Sequence, residues 1–291
     1  MNGIKVSLVA SANRPILQNG FNNWERFLNS LKQNKISYEV IFVGNTKPSD
    51  KILKTPNFHW IEANVKPCQC YQIGFWKAKG ELVGWTADDA DYNHPKNNCP
   101  NSLNIAYDCY KKAEEKYKDK KTVVAMRPIE DGGDVQEKWH YLFGGCPWSP
   151  RMAPFGLVNR EYFVDELGGY HKDYISGQTE NGVVMRFLEH GGRVEFCKEA
   201  FLYVHHRQVH PKNKQGQEDN KFRKYYNEDR KVLEEAWIVN GYGSYEKLNS
   251  QQLQQAVTIS KTRLKPFIPF EKTKDVCKVS QGQKGINSLW K

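Results

Sequence analysis

The sequence predicts an α/β fold: a mixed, mostly parallel sheet with helices on both faces, followed by a mainly helical C-terminal extension. Three observations predict it. Short β-rich apolar runs alternate with segments of helical spacing in the order strand, helix, strand, strand, helix, strand, which is the rhythm of a largely parallel sheet. Turn residues punctuate the exits of those strands. The last third is polar, carries +8 of the overall +10 charge (17 basic against 9 acidic residues from His206 on), and offers helical rather than strand patterning.

Taken in order, residues 4–10 (IKVSLVA) form the first strand, and Asn13 and Pro15 mark its exit because proline cannot donate to a ladder. Phe21, Trp24, Phe27, Leu28 and Leu31 fall on one helical face. Residues 38–43 (YEVIFV) are a second strand ending at Gly44-Asn45, and residues 58–61 a third. Residues 70–79 read as a helix closed by Gly80, and residues 81–86 (ELVGWT) as a strand running straight into Ala87-Asp88-Asp89-Ala90-Asp91. A helix from Asn101 to Tyr117 and a strand at 122–126 follow. Residues 127–154 read as a long Gly- and Pro-rich loop presenting Trp139, Tyr141, Phe143 and Trp148. Beyond it come a strand at 155–159, a short helix at 160–167, a helix at 180–189, a strand within 193–205, and helices at 222–237 and 250–257. The expected boundaries are one domain over 1–210 and a basic, mainly helical extension over 211–291 packed on it.

Composition narrows the function classes. The chain has 291 residues, 39% of them hydrophobic, 13% aromatic and 26% charged, ample for one sizeable core and too aromatic for disorder. No run approaches the roughly 20 apolar residues of a membrane-spanning helix. The N-terminal apolar stretch is too short for a secretory signal, so a cytoplasmic protein is expected. Seven cysteines are an odd number for a disulfide framework and lack zinc-site spacing, which points to free thiols.

Ligands of open α/β sheets bind outside the carboxyl ends of the strands. Asp88, Asp89 and Asp91 stand at such an end. Clustered carboxylates repel one another, and a divalent cation relieves that repulsion; Mg²⁺ and Mn²⁺ take one or two carboxylates together with substrate phosphates. Alternatively, the same residues make an ordinary turn.

These segments together resemble the family 2 glycosyltransferases of the GT-A fold, a Rossmann-like architecture. The opening Ser11-Ala12-Asn13-Arg14-Pro15 is similar to the family's first turn. The Ala78-Lys79-Gly80-Glu81 helix end precedes the acidic strand, and Gly168-Gly169-Tyr170 is followed by Glu180 and, six positions on, Arg186. His205-His206 follow the last strand. The resemblance covers residues 5–206 and departs from the family in Gly44-Asn45-Thr46, Tyr71-Gln72 and Thr179-Glu180-Asn181. It implies a metal-dependent, inverting transfer of a sugar from a nucleotide-diphosphate sugar, with a UDP-sugar favoured, to an acceptor hydroxyl. Glu180 would be the general base. Ala10, Ser11, Asn13, Arg14, Asn45, Lys66, Asp88 and Asp89 would bind the donor. Mn²⁺ or Mg²⁺ would sit on Asp89, Asp91 and either His205 or His206, and Trp139 and Trp148 would face the acceptor. The acceptor stays open among a glycan, a lipid-linked glycan and a nucleic acid. Two other readings stand beside this one: a sugar nucleotidyltransferase, disfavoured because the first turn lacks the glycines of a phosphate loop, and a nucleic-acid binder built on the basic segment.

Overall fold

The computed structural model describes residues 3–12, 23–93, 100–130, 153–177, 179–205, 225–236 and 265–270. The first strand, β1 (Val6–Ser11), leads to helix α1 (Asn23–Leu31), β2 (Tyr38–Gly44), a one-turn helix α2 (Asp50–Leu53) and β3 (Phe58–Glu62). Helix α3 (Pro67–Lys77), β4 (Leu82–Trp85), a two-residue strand β5 (Ala90–Asp91) and α4 (Ser102–Tyr117) follow. Next come β6 (Thr122–Glu130), β7 (Gly156–Asn159), a π-helical turn (Glu161–Glu166), α5 (Thr179–Glu189), β8 (Arg193–Val204) and α6 (Tyr226–Ala236).

The strands form one eight-stranded sheet in the order β3-β2-β1-β4-β7-β6-β8-β5. β1 pairs in parallel with β2 and β4, β2 with β3, and β6 with β8. β7 runs against both β4 and β6, and β5 against β8. Because β7 is reversed between them, β4 and β6 point the same way. The carboxyl ends of β1, β2, β3, β4, β6 and β8 therefore share one rim.

Alternation along the strands feeds two cores. Val6, Leu8 and Ala10 of β1 join Phe42, Phe27, Leu31, Leu103 and Tyr110 on the face covered by α1 and α4. Val9, Ile41, Val83 and Trp85 join Ile73, Phe75, Phe163, Val184 and Leu233 on the face covered by α3, α5 and α6. Burial on both faces explains why the strands read as continuous apolar runs. Ser7 alone interrupts β1, and it is satisfied: its hydroxyl donates to Glu39 Oε1 at 2.6 Å and accepts from the Gly80 amide at 2.8 Å.

The expected order of elements holds, with α2 and β5 as additions. Pro67, at the first turn of α3, starts that helix three residues earlier than the apolar spacing indicates, since proline there loses no hydrogen bond the helix would use. The 160–167 segment is a π-helical turn, and β6 extends four residues past Met126. At that point the β6–β8 register shifts: Met126 faces Cys197, but Arg127 faces Phe201, leaving residues 198–200 as a bulge. Helix α6 lies within the predicted 222–237 helix and buries Leu233 and Ala236, and the 265–270 segment buries Phe270. The predicted helix at 250–257 lies outside the described residues.

Candidate active site

The shared rim gathers most of the residues singled out from sequence. Ser11 ends β1, and Ala12 N donates to Val43 O at 2.7 Å while Thr46 N donates to Ala12 O at 3.1 Å, so the exits of β1 and β2 are stitched together. Asn45 is exposed just past β2, its amide donating to Asn64 Oδ1 at 3.5 Å. Lys66 is the residue before α3, with its ammonium 4.7 Å from the centre of the Tyr225 ring. Ala10 is different: it is fully buried in the sheet. Asn13, Arg14, Trp139, Trp148 and His206 lie outside the described residues.

The acidic cluster is built by β4, by β5 and by the end of β8. Tyr71 on α3 donates its hydroxyl to Thr86 O at 2.6 Å, fixing the exit of β4 two residues before Asp88. His205 N donates to Asp89 O at 2.9 Å, and Asp91 pairs with Tyr203. Asp88, Asp89, Asp91 and His205 are all buried, a costly place for so many carboxylates unless each is paired or neutralised. Asp91 has a partner on each oxygen. Its Oδ1 accepts from Arg26 Nε at 2.6 Å, and its Oδ2 lies 2.7 Å from His205 Nε2. Arg26, on α1, also reaches Asp88 O at 3.5 Å.

Two residues of the metal set expected from sequence lie side by side here. Asp91 and His205 do meet, but they meet each other and Arg26, and both Asp91 oxygens are engaged in doing so. Among the described residues, no three His, Cys, Asp or Glu side chains gather into a set that could hold an ion by themselves. Asp88 and Asp89 still fit an ion of the Mg²⁺ or Mn²⁺ type. Such an ion needs only one or two hard protein carboxylates when phosphate oxygens complete its shell.

Glu180 stands in the first turn of α5, half-buried, with Thr179 Oγ1 donating to its Oε2 at 3.4 Å. Its charge is felt by two deeply buried neighbours: burial pushes the Cys68 thiol and the Tyr170 hydroxyl well up, and Glu180 pushes both further. The turn before it is tightly seated. Gly168 and Gly169 have φ of +79° and +75°, and Tyr170 N donates to Gln72 Oε1 at 2.8 Å. Arg186, six residues after Glu180, stacks its guanidinium over Phe267 of the 265–270 segment.

Sequence reasoning missed Arg26, Tyr71, Gln72 and Asp229 as parts of this region. Arg26 and Asp229 sit on amphipathic helices where a charge normally reads as solvated, and only the fold turns them inward. Tyr71-Gln72 did carry a signal, since it stands where the family resemblance expects a different pair.

No family model matches the sequence, and neither does any curated protein. Solved structures do match. TarS 1–349 of S. aureus in complex with UDP aligns with a TM-score of 0.52 at 14% identity, over 69% of this chain and 60% of that one. The longer TarS chain gives 0.51 at 15% identity, over 69% and 37%. The mannosyltransferase PcManGT from Pyrobaculum calidifontis, in complex with GDP-Man and Mn²⁺, gives 0.47 at 14% identity, over 72% and 58%. The fold is GT-A. The GT-A sheet, expected from the order of the motifs, is thus shared with TarS. The match spans 60% of the length of the shorter TarS chain, so this protein is similar to part of it. No helix among the described residues of this GT-A protein is long and apolar enough to cross a membrane.

Proposed function

We propose that this chain is a glycosyltransferase that moves a sugar from a nucleotide-diphosphate sugar to an acceptor hydroxyl with inversion at the anomeric carbon. What supports the reading is a buried acidic cluster and an exposed Asn45 at the exits of GT-A strands, with a half-buried Glu180 in the first turn of the helix before β8. A carboxylate at Glu180 can take the proton from an acceptor hydroxyl as that oxygen attacks, the work of a general base. Asn45, offering both a donor and an acceptor, suits the edge of a nucleobase. Ser11 and Lys66, at the ends of neighbouring elements, suit the sugar and phosphates of the donor. Asp88 and Asp89 would hold Mn²⁺ or Mg²⁺, and the bound ion would supply positive charge opposite the leaving diphosphate. The Arg26–Asp91–His205 chain holds the acidic segment in place beneath them.

The test is a donor panel of UDP-, GDP-, dTDP- and CMP-sugars with each metal, UDP-sugars first because TarS was solved with UDP. Metal-dependent binding or slow hydrolysis of one donor is expected, lost in Asp88→Asn/Asp89→Asn. Glu180→Gln should abolish transfer while donor affinity stays within about twofold, because a base acts on the acceptor. Unchanged turnover in Glu180→Gln would remove it from the scheme, and silence across the whole panel would remove the function.

A further inference from the structure

The C-terminal helix α6 bears on this site through Asp229. That residue is completely buried, and its carboxylate accepts three consecutive backbone amides: Ile175 N on Oδ1 at 2.7 Å, and Ser176 N and Gly177 N on Oδ2, each at 2.8 Å. The Ser176 hydroxyl lies 3.4 Å from the same Oδ2. The loop so held is gripped from its other side as well, since Cys68 N at the start of α3 donates to Ile175 O at 3.1 Å. Gly177 is three residues from Glu180. At the loop's other end, Lys172 N donates to Ile268 O at 2.9 Å, and His171 pairs with Pro269. Tyr225, the residue before the same helix, has its ring facing Lys66.

Three amides converging on one carboxylate make a strong, directional set of bonds, because the acceptor is charged and buried. A salt bridge on the surface would fix neither the loop's height nor its rotation. This one fixes both at residues 175–177, and Gly177 stands two positions before the first residue of α5. We infer that Asp229 is a positioning residue: it sets the place of Glu180 by pinning residues 175–177, so α6 bears on the candidate base through this one carboxylate. The inference rests on the glycosyltransferase reading for what Glu180 does, and on the described bonds alone for what Asp229 holds.

The experiment uses the full chain with Asp229→Asn, which keeps the side-chain shape and one acceptor oxygen, beside Leu233→Ala, which removes buried apolar volume from the same helix and leaves the Asp229 carboxylate in place. Hydrogen exchange at the amides of 175–177 and the first turn of α5, thermal stability, donor affinity and turnover are measured for each. Asp229→Asn should speed exchange at those amides and lower kcat on the order of 10²-fold, the scale of a misplaced catalytic group, with donor affinity little changed. Leu233→Ala should lower stability with kcat within about threefold of the parent well below its melting temperature, since its loss is of packing. Equal losses of kcat in the two variants at equal loss of stability would overturn the positioning role, as would native exchange at 175–177 in Asp229→Asn. If no donor is turned over by the parent protein, the glycosyltransferase reading falls, and the exchange measurement still decides whether Asp229 sets the start of α5.

Discussion

Gly169 offers a measurable check on the seating of the turn before the candidate base. Its φ is +75°, and a Cβ built there would lie 2.3 Å from Gln72 Oε1 and 2.6 Å from Gln72 Nε2. Gly191 has the same φ, +75°, with nothing within 4 Å of the corresponding position. The two glycines thus separate backbone strain from crowding. Gly191→Ala carries the left-handed backbone cost alone, about 1 kcal/mol. Gly169→Ala carries that cost, and it also forces Gln72 to swing aside. Moving Gln72 breaks the buried bond from Tyr170 N, a loss of about 1–2 kcal/mol for an amide left without its acceptor. The expected total is about 3 kcal/mol, against about 1 for the control. Urea unfolding followed by tryptophan fluorescence reads both variants on one scale, provided the slopes match. In the double variant Gln72→Ala/Gly169→Ala the crowding is gone, so the two costs should sum to less than their separate values. Equal destabilisation in Gly169→Ala and Gly191→Ala would refute the close approach of the turn to α3.

Other perturbations follow from the same geometry. Arg26→Ala strands Asp91 in a buried position with one partner instead of two, and should cost about 3 kcal/mol in chemical denaturation, with Arg26→Lys recovering only part of it. Trp85 donates Nε1–H to Ala153 O at 2.7 Å, so Trp85→Phe should lose about 1 kcal/mol, read by the same assay. Glu81 is opposed by its burial, but bonds from Lys111, Tyr107 and Lys5 outweigh that and hold its carboxyl below the ordinary 4.5. A lowered pKa means the contribution is present above pH 4.5 and lost as pH falls through the folded value. The stability of Glu81→Gln should therefore converge on that of the parent as pH is taken below 4.5.

Most of the sheet was legible because its strands are buried on both faces, so each one announces itself as an apolar run with a turn at its exit. The rim was legible for the same reason: Asp88, Asp89 and Asn45 are the polar residues at which those runs stop. Residues 50–53 and 90–91 escaped because one helical turn and two strand residues are too short to show a period. The partners of Asp91 escaped for a different cause. Asp91 and His205 are 114 residues apart in the chain and Arg26 and Asp91 65 apart, and nothing local distinguishes a charge that turns inward from one that stays in water. Asp229 is the extreme case. It lies among Glu228, Arg230 and Lys231, where the charge run reads as solvent-facing, and only the packing of α6 shows that one carboxylate of that run is inside.

The register shift in β8 has a consequence of phase. Paired residues in a sheet project to the same side, and neighbours along a strand to opposite sides. Met126 and Arg127 are neighbours, yet their partners Cys197 and Phe201 are four apart, an even step that on an unbroken strand would put both on one side. The bulge at 198–200 absorbs that mismatch, so residues 201–204 take their phase from 127–130 and not from the part of β8 before the bulge. Deleting 198–200 whole would make Cys197 and Phe201 neighbours opposite Met126 and Arg127, and the ladder would run on with Tyr203 and His205 aimed as they are. The aim of His205 at Asp91 thus belongs to the neighbouring strand, and a three-residue deletion should change stability while leaving the contact between His205 and Asp91 in place.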